Sequence, residues 1–500
     1  MWGIQMKHIL LAAMLGALVT AGAAQARDTR STEAAIHWRG LAEADGRFAL
    51  ALIENNHPGA VAEVGDEDFQ AQLRTARRHF DERLSKVENF EGYSALMAGM
   101  ATDFRDGHIW SRPSMQPGAV NWTGLVLGRR GGTWTVVGQE AEPGDPALKG
   151  ARLESCDGEA AETWAATRIG LFRADATVEA QLAKAGSWLL LDSGNPFLKR
   201  PETCVFHGAD GQRQTVDLRW RRESLETIGR AFGAAETRAS VGLAIDQVGD
   251  GYWISLGTLG DGAAELAARV EAQADDLRRA PWVVVDLRGN GGGNSSLSDR
   301  ITRALVGAKV IEANRRAVSC GGAFYRASAD NISALRAWQE RIRVDRGDEG
   351  AAEWASMVAE MQAAKDDGRT FWPELTQCAE AATPAVTRVE RSDGGVSGSL
   401  MTGRLVIVTD RYCFSSCLMA VDLFRRVGAV QVGEATDVST RYMEVRTVTL
   451  PSGLRNFSTL MKLARGASDF GPYTPDHAYA GDLSDTMAVK TWVIDEVLAH

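Results

Sequence analysis

The sequence predicts an α/β protein whose mostly parallel sheet carries the chemistry, preceded by a helical segment and a β-rich module. Three observations carry this reading. Trp282-Val-Val-Val-Asp-Leu287 and Leu405-Val-Ile-Val408 are apolar on both faces, as strands inside a parallel sheet must be. Each is followed by a turn-rich segment and then by helical periodicity, the order of a βα unit. Between 118 and 222 the chain changes to short alternating strands bounded by glycine pairs.

The composition fits such a fold. The apolar fraction is 45% and the charged fraction 24%, ordinary for a globular chain, which excludes a collagen, a coiled-coil rod or a largely disordered protein. A net charge of −10 over 500 residues, with no basic tract, argues against a nucleic-acid partner held by counterion release.

Met1 to Ala26 read as a cleavable signal peptide. Lys7 supplies the positive end and Ile9 to Val19 the apolar run. Ala24-Gln25-Ala26 supplies the small-x-small site, so the mature chain is expected to start at Arg27. The competing reading is an uncleaved anchor. The run is short for a spanning helix, and no cysteine follows it closely enough for a lipid anchor. An exported, periplasmic or extracellular protein with no stable membrane anchor is expected. Its six cysteines then read as disulfide partners. Cys156 with Cys204 is the preferred pair, because both lie in the β-rich module. No CxxC or HxxxH spacing supports a metal site, and no cofactor is implied.

Taken in order, Ala34–Ile53, Asp66–Leu84 and Glu91–Phe104 have helical spacing. The third helix is expected to stop at Asp106-Gly107-His108, with Gly107 taking the left-handed C-terminal conformation. In the β-rich module, strands start near Gly124, Trp134 and Gly150, with an Asp157-Gly158 turn. A helix over Ala160–Ile169 and a closing strand at Thr215–Trp220 complete it. This order is compatible with a PDZ-like module, a fold that adds an extended peptide to a sheet edge. The α/β part then runs through strands at Gly251–Leu256, Trp282–Leu287, Leu405–Val408 and Val430–Gly433. Helices are expected at Ala263–Arg279, Ser298–Leu305 and Cys417–Val427. Tyr442–Leu450 and Leu454–Leu463 read as a hairpin around Pro451-Ser-Gly453. The expected boundaries are 27–113 for the helical segment, 114–225 for the PDZ-like module, and 226–310 with 381–500 for the α/β domain. Residues 311–380 read as a polar, helical covering insertion.

Three distant segments carry the chemistry. In Asp286-Leu-Arg-Gly-Asn-Gly-Gly-Gly293 a buried strand ends in glycines, whose backbone N–H groups can approach a ligand or a developing oxyanion. It is not a dinucleotide fingerprint, since Asn294 takes the third glycine position, and no Gly-Lys-Ser/Thr follows to make a phosphate loop. In Asp410-Arg-Tyr-Cys-Phe-Ser-Ser-Cys417 a serine sits between a strand and a helix. There it is either a plain N-cap or a nucleophile served by the helix N-terminus. Asp106-Gly-His-Ile-Trp110 presents a histidine, either structural or a general base.

In this order the three segments resemble the tail-specific, carboxyl-terminal processing serine peptidases. The likeness covers most of 85–310 and 400–495. It implies the crotonase/ClpP-like ββα superhelix, with Ser415 as nucleophile and an oxyanion hole from the N–H groups of Ser416 and Gly292 or Gly291. Many members carry a lysine in a Gly-Glu-x-Thr-x-Gly-Lys segment. Here Gly433-Glu-Ala-Thr-Asp-Val-Ser-Thr440 has Ser439 at that place. The chain is thus more similar to the tricorn-protease-like branch, whose base is an N-terminal histidine, implied here to be His108. The same branch implies Asp469, ahead of Thr474-Pro475-Asp476, as the orienting acid. The implied activity is that of an endopeptidase acting on a peptide or protein substrate, its C-terminal tail included. A binding protein without turnover and a non-peptidase acyl hydrolase are the alternatives, and Ser416 is the alternative nucleophile.

Overall fold

The computed structural model describes residues 33–115, 118–208, 210–235, 238–314, 321–377 and 398–499. The expected signal peptide, Cys320 and Cys378 lie outside the described residues.

The α/β part is a six-stranded sheet in the order 243–248, 251–256, 282–286, 404–409, 430–433 and 477–478. Its first pair is antiparallel and the remaining pairs are parallel. Trp282–Asp286 is buried along its whole length, as its two apolar faces require. On one side pack the helices Ala263–Ala272, Ser295–Val306 and Ser416–Arg426, through Leu266, Ile301, Leu305, Leu418 and Val421. On the other, Val489 and Val493 close over Val284, Val406 and Val432. The predicted helix over 263–279 is interrupted at Gln273.

A second, antiparallel sheet runs 111–113, 455–465, 321–326, 371–377, with 442–449 also paired to 455–465. The hairpin around Pro451-Ser-Gly453 is present. The segment 311–380 departs from its all-helical reading. Its long helix, Ala329–Asp366, is flanked by strands Gly321–Arg326 and Phe371–Gln377, which extend this second sheet. The helix doubles back at Gly347, whose φ is 75°, so that the Trp338 and Trp354 rings meet edge-on at 6.0 Å. N-terminal helices 33–56, Glu67–Leu84 and Phe90–Thr102 pack on the hairpin through Phe69, Phe80, Leu96, Tyr442 and Leu460.

The β-rich module is a six-stranded antiparallel sheet, 125–130, 133–139, 152–156, 203–207 and 213–217 with 159–160 also paired to 152–156, covered by helix Ala161–Phe172. Asp157 and Gly158 both have positive φ, as a type I′ turn requires. Cys156 and Cys204 are direct cross-strand partners and form the expected disulfide. Closing a loop over a sequence separation of 48 stabilises by about 4 kcal/mol in the chain-entropy account. Among the described residues no helix is long and apolar enough to cross a membrane.

Candidate active site

The glycine segment and the serine segment leave adjacent parallel strands, Trp282–Asp286 and Arg404–Thr409, at their carboxyl ends. That is where open α/β sheets place their ligands. The two loops are tied together. Asp410 accepts from the Gly289 N–H at 2.9 Å and the Tyr412 N–H at 3.0 Å. The Phe414 N–H donates to the Asn290 carbonyl at 3.2 Å. Burial pushes the Asp410 carboxyl up to about 6, against its two backbone donors.

Behind the glycine loop, Arg288 and Asp286 are fully buried and paired side on, at 2.6 and 2.9 Å. Arg288 also donates to the Leu483 carbonyl at 2.5 Å, and the Trp253 indole N–H to Asp286 at 3.2 Å. Arg288 is therefore structural and pins the strand end. Arg288→Met is expected to destabilise the fold by about 3–5 kcal/mol, because it strands a buried carboxylate. A denaturant midpoint unchanged from wild type would refute this.

Ser415 sits on the turn into helix Ser416–Arg426 with φ 57° and ψ −127°, a region that side chains with a Cβ rarely occupy. Its hydroxyl makes no hydrogen bond among the described residues. The Ser416 hydroxyl, by contrast, is committed to the Gly293 carbonyl at 2.6 Å, which leaves Ser415 as the free one of the two. A Cβ on Gly292 would stand 2.8 Å from Ser415 Cβ and 2.9 Å from the Ser416 nitrogen, so glycine is what allows the loops to touch. The Ser416 N–H, first in its helix, has no partner among the described residues, as expected of a helix N-terminus. The Gly292 N–H does have one: it donates to Asn290 Oδ1 at 2.8 Å. Of the two glycines expected as oxyanion donors, only Gly291 has an N–H without a partner among the described residues.

His108 reaches the same place from the other end of the chain. Phe414, just before Ser415, lays its ring on the imidazole, with centroids 4.5 Å apart. A Cβ on Gly107 would meet that ring at 2.9 Å. This is why Gly107 is glycine. It is not the left-handed helix end; that position is Arg105, with φ 49°. The His108 carbonyl accepts from the Ser458 hydroxyl at 2.7 Å, and Ser458 receives the Trp110 N–H at 2.8 Å, so the second sheet fixes this segment.

The imidazole is oriented by Asp106, not by Asp469. Asp106 Oδ1 lies 2.9 Å from His108 Nδ1 and accepts the His108 backbone N–H at 2.8 Å. Its Oδ2 accepts from the Thr440 hydroxyl. A carboxylate can only accept, so Nδ1 carries the proton of the neutral ring and Nε2 keeps the lone pair. Both residues are buried. Burial alone would raise the Asp106 carboxyl; the imidazole, the Thr440 hydroxyl and the backbone N–H outweigh it and hold the group below the ordinary carboxylate range. Asp469 is exposed and receives the Arg441 N–H at 2.9 Å. The Asp-x-His spacing was visible in the sequence; the turn that lets position 106 fold onto its own second neighbour was not.

The loop 433–440 joins everything around the site. Glu434 forms a two-pronged pair with Arg411 of the serine loop. Buried Asp437 donates its N–H to the Cys413 carbonyl at 3.2 Å. Its carboxylate takes Gln181 at 2.9 Å and pairs with Lys184, both from the β-rich module.

No family model matches the chain, and no curated protein matches it. Solved structures do. Mature CPAF is similar with a TM-score of 0.58 at 14% identity, covering 92% of this chain and 98% of that one. Mature CPAF complexed with lactacystin gives 0.57 at 16% identity, over 92% and 99%. A CPAF point mutant gives 0.56 at 14%, over 92% and 96%. The likeness spans the helical segment, the β-rich module and both sheets, and the chain shares its overall fold with mature CPAF.

Proposed function

We propose that the chain is an exported serine endopeptidase of the tail-specific, carboxyl-terminal processing type. The observation that carries the reading is one arrangement. Ser415 is held free on a strained turn at a helix N-terminus, against Gly292, with a His108–Asp106 pair seated on the adjacent Phe414 ring. The CPAF fold supports it, one of those structures being a complex with lactacystin. Two disulfides accord with an oxidising compartment.

In this mechanism His108 Nε2 takes the proton of Ser415 Oγ as the oxygen attacks the scissile carbonyl. Asp106 holds the ring tautomer and stabilises the imidazolium. The Ser416 and Gly291 N–H groups receive the oxyanion, each donor worth about 3 kcal/mol. The amine leaves with the proton from His108. Water, deprotonated by the same ring, releases the acyl group. The Ser415–His108 hydrogen bond is made on substrate binding, as such bonds often tighten only in the complex. The β-rich module would seat the extended peptide on a sheet edge.

The test is fluorophosphonate labelling of the mature chain. Wild type is expected to label on one serine, Ser415→Ala not at all, and His108→Ala at least 1,000-fold more slowly, as for loss of a triad member. Labelling of folded Ser415→Ala at the wild-type rate would move the nucleophile to Ser416. No labelling of folded wild type would favour a binding protein. A peptide and ester panel then separates endopeptidase from other acyl hydrolase.

A further inference from the structure

We infer that the Cys413–Cys417 disulfide is a positioning device for the nucleophile, and that a dithiol reductant switches the protein off by opening it. The inference rests on the reading of Ser415 as nucleophile. It goes beyond that reading in assigning a role to the two cysteines on either side.

The bridge closes a ring of five residues around Ser415, with the two Cα atoms 5.3 Å apart. Four extended peptide steps would let the same atoms separate to roughly 13 Å. The covalent bond thus removes every extended form of the one segment that must stay folded on itself. The need for such a tie is local. Ser415 holds a positive φ without being glycine, its own hydroxyl is not bonded among the described residues, and its neighbour across the gap is a glycine with no side chain to brace it. A backbone in that region persists only where its surroundings over-determine it.

Both ends of the bridge are anchored, and the segment between them is held by single hydrogen bonds, the Phe414 N–H to the Asn290 carbonyl at 3.2 Å and the Ser416 hydroxyl to the Gly293 carbonyl at 2.6 Å. Cys413 and Cys417 are fully buried in the main core beside Leu418 and Val421. The Cys413 N–H donates to the Asp410 carbonyl at 3.1 Å, and its own carbonyl accepts from Asp437 at 3.2 Å. The Cys417 N–H donates to the Phe414 carbonyl at 3.2 Å. Opening the bridge leaves only hydrogen bonds to hold the turn, so that Ser415 and the Phe414 ring that seats His108 can shift together.

Reduction balances simply. One thiolate of the dithiol attacks a bridge sulfur, forming a mixed disulfide and releasing the other protein sulfur as a thiol. The second reductant thiol then closes its own disulfide and frees the remaining cysteine. Two electrons and two protons pass to the protein. Because both sulfurs are buried, the exchange needs a local opening and is expected to take minutes to hours.

The experiment measures the second-order fluorophosphonate labelling rate beside the thermal midpoint. Cys413→Ala/Cys417→Ala is compared with wild type and with the control pair Cys156→Ala/Cys204→Ala. The first pair is expected to label at least tenfold more slowly while still folded. The control is expected to lose thermal stability with its labelling rate, measured well below its midpoint, within twofold of wild type. Wild type treated with dithiothreitol is expected to lose labelling in step with alkylatable thiols at Cys413 and Cys417, mapped by mass, and to regain it on reoxidation. Should the alanine pair fail to fold, this reduction course decides alone. Wild-type labelling in a chain whose Cys413–Cys417 bridge is shown to be open overturns the inference. Failure of the oxidised wild type to label overturns the nucleophile reading itself, and this one with it.

Discussion

Asp106→Asn is expected to slow Ser415 acylation by about 10,000-fold, and Asp469→Asn to leave it within a few fold. The first figure is the cost of neutralising the acid in a serine–histidine–acid triad. It applies because Asp106 is the group in contact with His108 Nδ1, at 2.9 Å. An asparagine has two ways to sit there. With its amide nitrogen toward the ring it donates to Nδ1, and the ring proton moves to Nε2, where the lone pair for Ser415 should be. With its oxygen toward the ring the tautomer survives but the charge that stabilises the imidazolium does not. The stability signature has a definite sign. The Asp106 carboxyl is held below the ordinary carboxylate range. Its contribution is therefore complete above the unfolded carboxylate value, near pH ~4, and is lost as pH falls through the folded value. Asp106→Asn should flatten that acid limb. A rate loss in Asp469→Asn as large as in Asp106→Asn would undo the assignment. Labelling rates for both variants, with circular dichroism beside them, decide it.

The sequence reading and the structure agree where chemistry follows directly from local pattern. Trp282–Val285 and Leu405–Val408 declare themselves parallel strands because every residue is apolar where a half-exposed strand would alternate. The glycines and serines after them fall at the carboxyl ends as a consequence. The Cys156–Cys204 pair was legible because both cysteines fall on strands of one small module. What was not legible depends on contacts across long stretches of chain. Asp469 was chosen from a family pattern, and nothing local contradicted it. In the structure Asp469 receives the Arg441 backbone N–H, while the Thr440 hydroxyl donates to Asp106, the carboxylate that touches His108. Gln181 and Lys184 meet Asp437 from more than 250 positions away, and no periodicity announces such a contact. Strands Gly321–Arg326 and Phe371–Gln377 were missed for a related reason. Arg455–Arg465 offers the first of them an edge, the first offers one to the second, and the intervening helical signal dominates the window. Gly107 shows a right residue with the wrong cause: the expected left-handed turn is made by Arg105, and glycine is needed two positions later to admit the Phe414 ring.

The same logic of close approach gives the last prediction. Gly292→Ala is expected to reduce labelling by about 100- to 1,000-fold, the range for losing one oxyanion donor. Gly291→Ala is expected to stay within a few fold. The two glycines are neighbours, and a methyl group is the same insult at each, but the surroundings differ. At Gly292 the new carbon would lie 2.8 Å from Ser415 Cβ, 2.9 Å from the Phe414 carbonyl oxygen and 2.9 Å from the Ser416 nitrogen. Two of these are backbone atoms and the third is fixed to the backbone, so no flexible side chain can swing clear. The φ of 99° adds strain of its own. The serine loop must move, taking Ser415 and the Ser416 N–H out of the places the proposed mechanism gives them. The stability cost should be modest, about 1–3 kcal/mol, as for overpacking elsewhere. At Gly291 only the tip of Arg238 comes within 4.0 Å, and φ is not in the left-handed region. An alanine there keeps its N–H, which is what the proposed oxyanion hole requires. Equal losses at the two positions would mean that the glycines serve the turn alone. A loss confined to Gly292 would mean that the distance between the two loops sets the rate.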